Sequence, residues 1–263
     1  MDKNASNQPR TVAEMSRPSS EDDPESTSIP TWISTVRVTR ERRPFRPPRN
    51  ERQLVDPGTA RVNIAASREA PKGTTANGWA ARHSGQTVLQ QHCDFFDSDH
   101  DGIIYPSDTF KGFWKLGFGV GLSLFAVFII HANFSYPTLN SWIPDPFFRV
   151  HIANIHKCKH GSDTGTYDTE GRFVPQKFED VFSKYADGKD SLSLWQLARA
   201  LMGQRLLADP VGWFAAFFEW LATYILLWPA DGRLRKEDVR GVYDGSIFYT
   251  IASRRAVNQS SIA

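Results

Sequence analysis

Apolar positions along this chain change their spacing twice. From Val88 to Phe96 the run VLQQHCDFF places Val88, Leu89, His92, Phe95 and Phe96 on one helical face. A second helix opens at Pro106, Ser107 and Asp108 and continues through Phe110 and Phe113. From Leu116 the amphipathic pattern stops, and no Asp, Glu, Lys or Arg occurs before Asp145. Leu116 to Ile130 is fifteen residues, short of the roughly 20 needed to span hydrocarbon as a helix. Pro137, Pro144 and Pro146 then interrupt any helix. The pattern therefore predicts a helix that dips into an apolar medium, reverses at the proline cluster and returns. Trp142, Phe147 and Phe148 would serve as interfacial anchors. A buried core helix is the competing reading, and Gly117 and Gly121 would let two apolar helices approach closely.

Between the two amphipathic helices stands Asp97-Ser-Asp99-His-Asp101-Gly102-Ile103-Ile104. Carboxylates at alternate positions followed by glycine are the pattern of an EF-hand calcium loop. Asp97, Asp99 and Asp101 take positions one, three and five, the Ile103 carbonyl position seven, and Asp108 position twelve. Tyr105, at position nine, contributes only through water. Asp108 stands where a bidentate Glu is usual, and its shorter arm favours weaker calcium binding or a smaller cation such as magnesium.

The C-terminal half carries three weaker echoes of this unit. They are Tyr167-Asp168-Thr-Glu170-Gly171-Arg-Phe173, the stretch from Phe178 through Asp190 to Trp195, and Pro229-Ala-Asp231-Gly232-Arg-Leu234. Each lacks most calcium ligands. As structural hands they would pair Ile104 with Phe173 and Leu192 with Leu234. The expected fold is mainly α, an EF-hand helix–loop–helix body with one intact and further degenerate hands. The expected divisions are a disordered Pro/Ser/Arg-rich arm over 1–85, a calcium hand over 86–115, and a membrane-associating proline-knot segment over 116–148. A helical region over 149–255 and a tail over 256–263 follow.

Composition narrows the function. A formal net charge of +2 gives no whole-chain argument for nucleic acid. Seven arginines between Arg37 and Arg52, interleaved with Pro44, Pro47 and Pro48, make a solvated arm or a contact for an anionic membrane surface. The first ten residues hold no apolar core like that of a secretory signal, and two cysteines, Cys93 and Cys158, make no disulfide framework. A cytosol-facing protein is expected.

Several segments together resemble the caleosin family. They are Leu89-Gln-Gln-His92, Phe95-Phe96-Asp97, Gly102-Ile-Ile-Tyr105-Pro106, Pro144-x-Pro146-Phe147-Phe148, Asn154-Ile-His156-Lys157, Lys159-His160-Gly161-Ser162-Asp163 and Tyr167 to Phe173. The resemblance covers about residues 85 to 255. It implies a lipid-droplet and endoplasmic-reticulum protein with one calcium hand and a proline knot, its anchor here Pro137, Pro144 and Pro146. It further implies a haem-dependent peroxygenase that passes oxygen from a fatty-acid hydroperoxide to an unsaturated lipid or another acceptor. Two histidines are implied as haem and catalytic residues, and their positions here are His92 and His160. Two axial imidazoles would fill both iron faces, so one must be proximal and the other labile or an acid–base group; which is which stays open. Thiolate ligation by Cys93 or Cys158 is a disfavoured alternative. The cluster of His151, His156 and His160 reads equally as a surface basic patch with Lys157 and Lys159. Expected cofactors are haem and Ca2+; expected partners are a phospholipid surface and lipid substrates, with a homo-oligomer admitted. The rival function is a non-catalytic, calcium-responsive droplet coat or scaffold.

Overall fold

The computed structural model describes residues 28–29, 38–39, 45 and 54–260. The chain divides into two units, residues 1–43 and 44–263. In the first, β1 (Ser28–Ile29) pairs antiparallel with β2 (Val38–Thr39).

The second unit is mainly helical and begins with α1 (Trp79–Arg82) and α2 (Val88–Asp94). A reciprocal cap starts α2: Gln90 N–H donates to Thr87 Oγ1, and Thr87 N–H donates to Gln90 Oε1. β3 (Ile103–Ile104) and α3 (Pro106–Leu116) follow; proline at the first helical position loses no hydrogen bond. Gly117, at φ 94°, ends α3, and α4 (Val120–Thr138) turns back along it. His131 Nε2 on α4 meets Thr109 Oγ1 on α3 at 2.8 Å, and its Nδ1 donates to the Phe148 carbonyl at 2.6 Å. The chain then returns through β4 (Val150–His151) and a 3-10 helix, Ile152–Cys158.

α5 (Pro175–Tyr185), β5 (Ser191–Ser193) and α6 (Leu194–Gln204) make a second helix–strand–helix unit. α7 (Pro210–Leu227), β6 (Arg233–Arg235) and α8 (Lys236–Tyr243) make a third, and α9 (Ser246–Ser260) closes the chain. β5 pairs antiparallel with β6, Leu192 opposite Leu234, as expected. The other expected pairing fails: Ile104 lies opposite Val150, not Phe173. Phe173 instead bridges Tyr167 within its own turn and Arg61 upstream. Tyr167 to Phe173 closes into a tight turn in which Asp168 accepts the amides of Glu170 and Arg172, so it has no strand free for the first hand.

Order begins well before Thr87. Residues 54–85, assigned to a disordered arm by composition, are packed into the body. Ala65 joins the main core with Val88, Phe173, Phe178, Phe182, Leu192 and Leu234. Buried polar groups tie this strap down: Arg68 N–H donates to Glu179 Oε1 at 2.7 Å, and Arg240 donates to the Ala65 carbonyl at 3.3 Å. Gln91, fully buried, links Trp79 Nε1 to the Asn63 carbonyl. Most of the arginine-rich stretch lies outside the described residues, as does most of the chain before Leu54.

The apolar run also folds differently from expectation. α4 continues through Pro137 and ends one residue later, and the segment from Leu139 to Phe148 is not a returning helix. Asp145 closes that segment by accepting the Arg149 amide at 2.9 Å and the Arg149 Nε at 2.8 Å. The second long apolar helix is α7, whose Phe218 packs edge-on against Phe125 of α4 at 5.5 Å.

Candidate functional site

The loop between α2 and α3 brings Asp97, Asp99 and Asp101 together, one oxygen from each lying within 4.8 Å of the others. Gly102, at φ 81°, makes the turn that a side chain would strain. Asp97 is buried and accepts the amides of Asp101 at 3.2 Å and Gly102 at 2.9 Å, so it shapes the loop as well as lining it. Burial pushes its carboxyl above the usual range, which opposes ionisation unless a cation is near. Three convergent carboxylates fit a hard divalent ion. Asp108 is otherwise engaged: it accepts Tyr105 N–H at 3.1 Å and the Lys111 ammonium at 3.3 Å, capping α3. Ile103 and Tyr105 lie on the strand side of the loop, where β3 meets β4.

His92 lies on α2 facing the C-terminal helices. Its Nδ1 lies 2.7 Å from the Val242 carbonyl, and its ring meets Phe248 edge-on at 5.1 Å. A carbonyl only accepts, so Nδ1 carries the proton and Nε2 keeps its lone pair. Burial holds the imidazole's pKa below its ordinary value. A neutral ring oriented by a backbone carbonyl is the usual state of a metal-ligating histidine. Gly245 permits this packing, since a Cβ there would lie 2.6 Å from the Gln91 carbonyl oxygen and 3.0 Å from His92 Cα.

His160 is in the opposite state. It follows the 3-10 helix and rests against α7, with Nε2 3.6 Å from Glu219 Oε1. Glu219 is the main cause of a raised imidazole pKa, with Asp163 and Asp209 adding to it. Its Nδ1 is buried without a hydrogen-bond partner, 3.9 Å from Asp209 Oδ2. Asp209 anchors this loop, accepting Ser162 N–H at 2.8 Å while it caps α7 through Gly212 N–H at 2.9 Å. Glu219 is also a minor electrostatic influence on His92, behind burial and the Val242 carbonyl. Tyr167 OH donates to the Tyr243 carbonyl at 2.6 Å, and burial raises both phenols.

The alternatives separate on the same geometry. Burial pushes the Cys93 and Cys158 thiols up to about 12, so neither is a thiolate near neutrality. Lys159 turns inward to the carbonyls of Tyr167 and Asp168 and to Asp163, which takes it out of a surface basic patch, while Lys157 stays exposed. The donors fit an iron-binding imidazole at His92 and an acid–base imidazole at His160. Two cavities of about 300 and 170 Å3 lie elsewhere, the first beside Leu227 and Leu234, the second between Ser162, Met202, Trp213 and Phe217, and neither is lined by either histidine.

Glu219 and Asp209 were not evident from spacing. The available signal was an acid isolated in the apolar stretch from Pro210 to Trp228, because a lone charge among hydrocarbon side chains usually has a partner.

A helix–loop–helix unit with a three-carboxylate loop and two apolar helices defines the class. The chain belongs to the caleosin family: residues 84–252 match the family described as "Caleosin related protein". It is 44% identical to a protein named "Peroxygenase" from Lilium longiflorum over 207 residues, 78% of this chain and 85% of that one. It is 40% identical to "Probable peroxygenase 4" from Arabidopsis thaliana over 173 residues, 65% of this chain and 89% of the relative. A third relative, "Probable inactive peroxygenase-like protein" from Arabidopsis thaliana, is 33% identical over 155 residues, 57% of this chain and 72% of its own. No solved structure matches the chain. The family match bears out the expected span of about 85 to 255, and the lily match, too long to begin later than about residue 60, also takes in part of the strap upstream.

Proposed function

We propose that this chain is a calcium-binding haem peroxygenase held at a phospholipid surface, that of the lipid droplet and the endoplasmic reticulum, with its body in the cytosol. It takes one oxygen atom from a fatty-acid hydroperoxide, which leaves as the alcohol. The acceptor, an unsaturated lipid or another oxidisable molecule, leaves as an epoxide, alcohol or sulfoxide. Family membership and relatives named peroxygenases support the reading. The observation that carries it is the contrast between the two histidines, His92 buried with Nδ1 on the Val242 carbonyl and His160 beside Glu219.

A haem bound here supplies the oxygen-atom transfer. His92 would hold its iron through Nε2, since Nδ1 is committed to the Val242 carbonyl. His160 then serves as the acid–base group. Its Nε2 keeps a proton facing Glu219 and can deliver it to the departing oxygen of the hydroperoxide. Glu219 raises that ring's pKa above its ordinary value and so favours the charged form, and Asp209 fixes the loop that carries it. On this division His92 would hold the haem and His160 would stay free for proton transfer. Calcium would be held by Asp97, Asp99 and Asp101 with the Ile103 carbonyl, and by Tyr105 through water. Pro137, Pro144 and Pro146 would shape the anchor segment.

The test is the visible absorption spectrum of the detergent-purified protein beside His92→Ala and His160→Ala. A Soret band lost in His92→Ala but kept, without peroxygenase activity, in His160→Ala is expected. The reverse pattern would exchange the two roles. No band after haem is supplied would leave the coat or scaffold reading, which the relative named as inactive favours.

A further inference from the structure

We propose that α7 is a second lipid-embedding helix, lying beside α4, so that two segments far apart in sequence share one hydrocarbon-facing surface. The proposal rests on the lipid-surface reading above and extends it to a part of the chain outside the proline-knot segment.

The first ground is inverted polarity. A water-facing helix buries its large apolar side chains and shows polar ones. α7 does the reverse: it buries Gly212 and Ala216 and exposes Val211, Phe214, Phe217 and Leu221. Phe214 is 66% exposed and Val211 70%. α4 is inverted in the same way, burying Ser123, His131, Ser135 and Thr138 while Leu124, Phe125 and Phe128 face outward. The Phe125–Phe218 contact makes the two faces continuous.

The second ground selects lipid over a protein partner. Indole rings and cations gather at the ends of both helices, where a membrane interface would lie. Trp114 and Lys115 precede α4, and exposed Trp142 follows it; Arg205 precedes α7, and exposed Trp228 follows it. A protein partner needs polar groups to set its register, and α7 offers one charge, Glu219, half-exposed and 3.6 Å from His160. Each helix also leaves and rejoins the same body: α4 lies between the paired strands β3 and β4, and α7 between α6 and β6. Such a helix rests in the interface with one face in the acyl region.

The test is flotation of the full chain with phosphatidylcholine–phosphatidylserine vesicles. It compares wild type with Phe214→Ser/Phe217→Ser on α7 and Leu124→Ser/Phe128→Ser on α4, after circular dichroism shows each is folded. Removing two apolar side chains from lipid should weaken partitioning roughly tenfold or more, and both pairs should do so. An α7 pair that floats like wild type, beside an α4 pair that does not, would overturn the proposal and leave the lipid reading intact. A wild type that does not float would overturn both. A second readout needs no core change: an environment-sensitive fluorophore on Val211→Cys should shift to the blue on adding vesicles and be quenched by acyl-chain bromines. A blue shift without vesicles that grows with protein concentration would assign the face to a second copy and overturn the proposal.

Discussion

Calcium binding makes a prediction that can be worked from the loop. Asp97, Asp99 and Asp101 crowd their oxygens within 4.8 Å, and burial already disfavours ionised Asp97. A bound divalent cation relieves both costs and is absent from the unfolded chain, so it stabilises the fold by mass action. At a concentration about 100 times its dissociation constant the gain is about 2.7 kcal/mol. For a domain of this size about 1 kcal/mol moves the melting temperature by roughly 2–4 °C, so a rise of roughly 5–11 °C is expected. Differential scanning calorimetry of chelator-stripped protein, with and without calcium, reads it. Asp99 is exposed and accepts none of the loop amides held by Asp97 and Asp101. Asp99→Asn should therefore leave the metal-free melting temperature near wild type and shrink the calcium increment. Asp97→Ala behaves differently, because the amides of Asp101 and Gly102 lose their acceptor; it should cost about 1–3 kcal/mol before any calcium is added. No calcium increment in wild type, or an undiminished one in Asp99→Asn, would refute the reasoning.

Three further outcomes are expected. Asp108→Glu, with a longer arm, should raise calcium affinity relative to magnesium in isothermal titration calorimetry. The raised pKa of His160 contributes stability that is complete below about pH 6.5 and is lost as the pH rises through the raised value. Glu219→Gln removes the main cause, so its stability deficit in urea melts should be largest at acid pH and fade above neutrality, and its peroxygenase optimum should move to lower pH. Lys236, 2% exposed, lies 3.1 Å from buried Glu179 and beside the more exposed Glu69 and Asp190; Lys236→Met leaves the Glu179 carboxylate buried without its cation and should cost about 3–5 kcal/mol, read as a lowered denaturant midpoint.

What the sequence made legible was local. The acid–glycine spacing around Asp97 and the Leu192–Leu234 pairing depend on a few neighbouring residues, and both took the expected geometry. The strap over 54–85 was misread because composition weighs its Pro, Ser and Arg and not the few contacts that matter. Ala65, Ser67 and Trp79 are each more than nine-tenths buried, held by partners more than a hundred residues away or across α2. Ile104 was paired with Phe173 by analogy between repeats. The actual partner, Val150, belongs to no repeat and follows the apolar run. α7 was missed for the same reason that α4 was noticed: a charge-free run draws the eye, and one Glu in a similar run hides it.

That one Glu connects the two halves of the site. The calcium loop ends α2, which carries His92, and begins α3, which is bonded to α4 through Thr109 and His131. α4 touches α7 through Phe125 and Phe218, and α7 carries Glu219 to His160. The loop therefore reaches one histidine directly and the other through α4 and α7. A cation that fixes the angle between α2 and α3 would fix the two imidazoles relative to each other and to the lipid surface. Contiguity alone does not prove coupling; the coupling energy between Asp99→Asn and Glu219→Gln does. If the path transmits calcium's effect, the double variant should lose less activity than the two single losses combined. Independent sites would lose the full sum.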